Sequence, residues 1–157
     1  MNKKVLFVCL GNICRSPTAQ GVFEKTIKQN RLPIDCDSAG TAAYHIGKAP
    51  DKRSISAAKK RNIDLSNLRA RQAISDDFYE FDLIFAMDQQ NYNELKSIQP
   101  EGAKAKLHLF LQPVDCDTNE MPDPYYGQSD GFETVLDLCE QATLYWIKQM
   151  GFEKQND

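Results

Sequence analysis

The chain has 157 residues, 41% of them hydrophobic and 26% charged, with a formal net charge of −3. That size and balance predict one domain over residues 1–157 with a single core, and exclude a largely disordered chain. An acidic net charge argues against general nucleic-acid binding and no apolar run reaches the length of a membrane span, so neither nucleic acid nor membrane is expected among the partners. Five cysteines make an odd count without a C-x2-C pair, and none falls at metal-ligand spacing from His45 or His108. Reduced thiols in a cytoplasm, with no metal and no cofactor, are the expectation.

In chain order, Lys3-Lys4 leads into Val5-Leu6-Phe7-Val8, too short an apolar run for a secretory core and read as a first buried strand. A loop from Cys9 to Arg15 follows. Ser16 to Asn30 reads as a helix with Ser16 as N-cap, Pro17 at the first helical position and Ala19, Val22, Phe23 and Ile27 on one face. Ile34 to Ser38 reads as a strand, Ser54 to Asn62 as a helix and Asp82 to Met87 as a strand. Next come a helix capped by Asp88 and running through Leu95 and Ile98, and a strand from Ala105 to Phe110. The last helix carries Phe132, Val135, Leu136, Cys139, Ala142 and Trp146 at helical spacing, with Asp130 and Glu133 as a capping pair. This alternation predicts an α/β fold, a three-layer sandwich whose central four-stranded parallel sheet is flanked by helices on both faces.

The Cys9 loop carries the chemistry. A helix N-terminus offers unpaired N–H groups and a partial positive charge, so a loop wrapped over it is a ready anion site. Gly11 and Asn12 tolerate the left-handed backbone that turns successive N–H groups inward. Arg15 can give two parallel donors to one phosphate and favours ionisation of a thiol beside it, which makes Cys9 a candidate nucleophile for phosphoryl transfer. With five Cys and six Arg, the bare C-x5-R spacing is expected about 0.2 times by chance, so the preceding strand and following helix start must discriminate. A phosphate monoester also needs a proton for its departing oxygen, and Asp123, stiffened between Pro122 and Pro124 and followed by Tyr125 and Tyr126, is the candidate acid.

Taken together, Val8-Cys9-Leu10-Gly11-Asn12-Ile13-Cys14-Arg15-Ser16-Pro17, Asp37-Ser38-Ala39-Gly40-Thr41 and Asp123-Pro124-Tyr125-Tyr126 resemble the low-molecular-weight protein tyrosine phosphatases over nearly the whole chain. The resemblance implies hydrolysis of phosphotyrosine and aryl phosphates through a phosphocysteine, with Cys9 as nucleophile, Arg15 as phosphate clamp and Asp123 as general acid and base. It implies phosphotyrosine proteins as substrates and inorganic phosphate as product and competing ligand. Substrate contacts are expected from Leu10, Gly11, Asn12, Ile13, Cys14, Ser16, Tyr44 and Tyr125, with Ser16 stabilising the thiolate and Asn12 and Ser38 paired to support the loop. Cys14 is implied to form a reversible, protective disulfide with Cys9. Two positions depart from the family's pattern: Tyr44 stands where many members have Trp, and Leu68 where many have His. Two other readings compete. An arsenate reductase-like enzyme would need partner thiols near the loop, and Cys116 and Cys139, 23 positions apart with Cys139 on the core face of a helix, do not resemble a close mobile pair. A binding module without turnover would have little use for all three of Cys9, Arg15 and Asp123.

Overall fold

Four parallel strands, β1 (Lys3–Cys9), β2 (Ile34–Gly40), β3 (Leu83–Ala86) and β4 (Lys106–Leu109), form one sheet in the order β2-β1-β3-β4. The structure, a computed structural model, describes residues 2–114, 119–125 and 130–152; Cys116, Tyr126 and Gly127 lie outside the described residues. Among the described residues five helices accompany it: α1 (Arg15–Asn30), α2 (Lys52–Lys59), α3 (Asp77–Glu80), α4 (Gln89–Ile98) and α5 (Asp130–Gln149). The architecture is the three-layer α/β sandwich.

The period-2 geometry of β1 explains the layering. Val5, Phe7 and Cys9 point into a core shared with α1, α2 and α5, while Leu6 and Val8 point into a second core with Phe78, Phe81 and Leu95 on the α3 and α4 side. Phe7 meets Phe23, Phe85 and Phe110 at ring-centroid distances of 5.3, 5.7 and 5.3 Å. Burying each such ring contributes roughly 2–3 kcal/mol. The central strand is therefore pinned from both faces, and its C-terminal end is a rigid platform.

Strand order then locates the site. β1 has β2 on one side and β3 on the other, with Cys9 opposite Gly40 and Val8 opposite Ala86. The chain leaves β1 for β2 and later returns to the opposite side, so the crevice at the carboxyl end of β1 is the switch point where such sheets bind ligands.

Several element ends differ from the expectation. α1 begins at Arg15, so Ser16 is not its N-cap and Pro17 falls within the first turn, where a missing N–H still costs nothing. α2 begins two residues before Ser54, because the Asp51 carboxylate accepts from Arg53 N at 2.8 Å and caps it. β2 continues to Gly40, and α3 was not foreseen. Glu133, expected in a capping pair with Asp130, places its carboxylate on Arg61 at 2.6 Å, and Arg61 also reaches Asp137 and Glu140.

Candidate active site

β1 ends at Cys9, only 2% exposed, and α1 starts at Arg15, so residues 10–14 wrap the helix N-terminus. The outer rim of this loop is held by neighbouring segments: Thr41 N donates to Cys9 O at 2.9 Å, Ala42 N to Leu10 O at 3.0 Å and Asp51 N to Ile13 O at 2.8 Å. A trans peptide points its C=O and N–H in opposite directions. Three carbonyls drawn outward thus turn the N–H groups of Leu10, Gly11 and Cys14 toward the inside, and Asn12 N donates to Cys9 Sγ at 3.2 Å. The result is an anion cradle with a sulfur at its floor.

Asn12 makes this path possible. Its φ of 58° is left-handed, a region asparagine enters more readily than most residues. Its Nδ2 donates to Ser16 Oγ at 2.8 Å and its Oδ1 accepts from Arg71 N at 3.0 Å. Ser16 Oγ lies 3.0 Å from Cys9 Sγ. Asn12 and Ser16 are buried, are not among the residues lining the cleft, and bond to one another beside the Cys9 sulfur. The expected pairing of Ser38 with Asn12 is also replaced: Ser38 Oγ donates to Gln20 Oε1 at 2.7 Å. Leu68 is partly buried against the core, and the Arg71 main chain supplies the bond to Asn12.

Arg15 is 4% exposed. Its Nη1 donates to Asp88 Oδ2 at 2.6 Å and to Met121 O at 3.2 Å, which leaves Nη2 facing Asp123 Oδ2 at 3.8 Å. Burial works against its charge, but Cys9, Asp88 and Asp123 outweigh burial and hold the guanidinium above its ordinary value. Asp88 was expected only as a helix cap. It does accept from Asn91 N at 2.7 Å, and it also anchors Arg15 across 73 positions.

The cleft above the cradle measures about 330 Å³. Cys9, Gly11, Cys14 and Arg15 lie along it, Leu10, Ile13, Tyr44 and Tyr125 contribute apolar and aromatic surface, and Asp123 lines it with its carboxylate 3.8 Å from Arg15. Tyr44 is 73% exposed, an aromatic face open to an incoming chain. His45 also lines the cleft, its ring packed beside Gly11, and no spacing signal in the sequence singled it out. The Asp123 carboxylate is fixed by Tyr125 N, which donates to its Oδ1 at 3.0 Å. Cys14 is a free thiol pushed up to about 12, by burial first and by the nearby Asp51 second. Among the described residues no group of three or more His, Cys, Asp or Glu is placed to hold a metal ion, and no helix is long and apolar enough to cross a membrane.

A thiol before a helix N-terminus, a buried guanidinium and a carboxylate meet at one cleft of this α/β protein, a set of groups able to hold an anion. Residues 4–156 match the model of the low molecular weight phosphotyrosine protein phosphatase family. The human low molecular weight phosphotyrosine protein phosphatase is 43% identical over 151 residues, covering 94% of this chain and 95% of that protein. The Schizosaccharomyces pombe protein of the same description is 44% identical over 135 residues, covering 83% and 86%. A product-state mimic crystal structure of a protein tyrosine phosphatase from Entamoeba histolytica superposes with a TM-score of 0.89 at 40% identity, covering 99% of this chain and all of that one. The chain belongs to the low molecular weight phosphotyrosine protein phosphatase family and is an enzyme of that class.

Proposed function

We propose that this enzyme hydrolyses phosphotyrosine in proteins, and aryl phosphates generally, through a phosphocysteine, with inorganic phosphate as product and competing ligand. The observation that carries the reading is the meeting of Cys9, Arg15 and Asp123 at one cleft, with the Asp123 carboxylate 3.8 Å from the Arg15 guanidinium. Cys9 attacks phosphorus as its thiolate. An S–P bond forms, the P–O bond to the phenol breaks, and Asp123 gives its proton to the departing oxygen. Asp123, now a carboxylate, then takes a proton from water as that water attacks phosphorus, which releases phosphate and restores the thiolate. The inward amides and Arg15 stabilise the equatorial oxygens in both steps. Leu10, Ile13, Tyr44 and Tyr125 flank the substrate ring, which suits a phenol held in an aromatic-lined cleft.

Cys14, a second free thiol at the same cleft, supports a redox role in a reducing cytoplasm. Peroxide converts Cys9 to a sulfenic acid, Cys14 displaces water to close a disulfide, and an external thiol reopens it. An arsenate reductase would need further thiols at the site, and Cys139 is fully buried in the α5 core.

The deciding assay measures hydrolysis of p-nitrophenyl phosphate, a phosphotyrosyl peptide and a phosphoseryl peptide, with Cys9→Ser beside the wild type. Turnover of the first two alone, lost in Cys9→Ser while phosphate still binds, is the expected pattern. Wild-type rates in Cys9→Ser, or arsenate-dependent thiol consumption, would end this reading.

A further inference from the structure

Asp123 lies on an irregular segment between β4 and α5, where a carboxylate needs external support to hold a catalytic position. That support is traceable. The Arg53 guanidinium, in the first turn of α2, donates from Nε to Asp51 Oδ1 and from Nη2 to Asp51 Oδ2, both at 3.0 Å. The same Nη2 donates to Tyr125 O at 3.0 Å. Its Cζ lies 4.8 Å from the ring centroid of buried Phe132 and 5.5 Å from that of Tyr125. Asp51 is tied to the phosphate loop through its own N–H on Ile13 O at 2.8 Å, and Tyr125 N holds Asp123 Oδ1 at 3.0 Å.

These contacts form one continuous path from the cradle to the acid: Ile13, Asp51, Arg53, Tyr125, Asp123. We infer that Arg53 is a positioning residue for Asp123, its planar fork holding the Tyr125 carbonyl and so fixing the residue whose N–H, in the preceding peptide, aims the carboxylate at the leaving-group oxygen. The inference rests on the proposed reaction and deepens it. Only an arginine donates in one plane to a carboxylate and a carbonyl while its face covers two rings. The side chain is about half exposed, at 46%, so its pair with Asp51 adds little to folding stability and its effect on the reaction can be read separately.

The test uses kcat/KM for phenyl phosphate and 2,4-dinitrophenyl phosphate in wild type, Arg53→Ala, Asp123→Ala and the double variant, with the inhibition constant of inorganic phosphate as a control. A poor leaving group needs the acid and a good one does not. Arg53→Ala is expected to lose about tenfold with phenyl phosphate and less than about twofold with 2,4-dinitrophenyl phosphate, a fraction of the ~10²–10⁴ available to general acid catalysis. Adding it to Asp123→Ala should bring no further loss, and phosphate inhibition should not change. Equal losses for both substrates, or the same loss in the Asp123→Ala background, would overturn the role. Arg53→Lys keeps the charge without the fork and carries the test if Arg53→Ala does not fold; wild-type behaviour of Arg53→Lys would likewise overturn it. An inactive wild type, or Asp123→Ala without leaving-group selectivity, would instead remove the underlying reaction.

Discussion

Arg15 and Asp88 are joined at 2.6 Å, and the same Asp88 carboxylate caps α4 through Asn91 N, so one side chain fixes both the buried Arg15 guanidinium and the helix after β3. The two roles separate by substitution. Asparagine is as good an N-cap as aspartate but cannot pair with a guanidinium as an anion. Asp88→Asn should lose catalytic efficiency by about tenfold or more through a loosened clamp. Asp88→Ala should do the same and cost roughly 1 kcal/mol more folding stability for the lost cap. Denaturant unfolding and kcat/KM on both variants check this; equal stability of the two would show that the cap is idle.

The left-handed Asn12 offers a comparison of backbone with side chain. Glycine accepts its φ of 58° freely, whereas alanine costs about 1–2 kcal/mol there. Asn12→Ala should therefore be less stable than Asn12→Gly by about that amount. Both should lose activity, because Ser16 and Arg71 N lose their partner. Retention of wild-type kcat/KM in Asn12→Gly would mean that the backbone angle alone shapes the cradle.

Gly40 ends β2 opposite Cys9, and a Cβ there would sit 2.7 Å from Leu10 O and 3.2 Å from Asn12 N. Both atoms belong to the phosphate-loop backbone and cannot swing aside. Gly40→Ala should displace the cradle and lower kcat/KM by about 10²-fold or more, with weaker inhibition by phosphate. Steady-state kinetics with aryl phosphate decide it, and an unaffected phosphate inhibition constant would contradict the geometry.

Thiol chemistry should be selective. With Cys14 pushed up to about 12, almost none of it is thiolate at neutral pH, and burial also pushes Cys36 and Cys139 up. Iodoacetamide near pH 7 should therefore inactivate by modifying Cys9, with inorganic phosphate protecting. Peptide mapping that found Cys14 modified first would refute this.

Asp51 supplies a pH test. The hydrogen bonds from Arg53 hold its carboxyl below the usual range, so its stabilisation is fully present above the unfolded value of ~3.9 and is lost as pH falls through the folded value. Asp51→Asn keeps the cap and removes the charge. Its deficit against wild type should be below about 1 kcal/mol at pH 7, since the pair is partly exposed, and should shrink toward pH 3. A deficit that grew on acidification would reverse the sign.

Local chemistry by itself determined the Cys9 loop, the strand before it, the helix after it and the apolar stripe of α5, because each is a pattern among residues within a few positions of one another. Periodicity also gave the alternation of strands and helices, and with the three motifs it pointed to the family. Only the tertiary structure decided that Asp88 anchors Arg15, that Arg71 N holds Asn12, that Ser38 turns to Gln20 and that Arg53 reaches Tyr125. Those partners lie 73, 59, 18 and 72 positions apart. The sheet order β2-β1-β3-β4 and the packing of helices on its faces bring them together, and no repeat of 2 or 3.6 residues along the chain encodes such meetings.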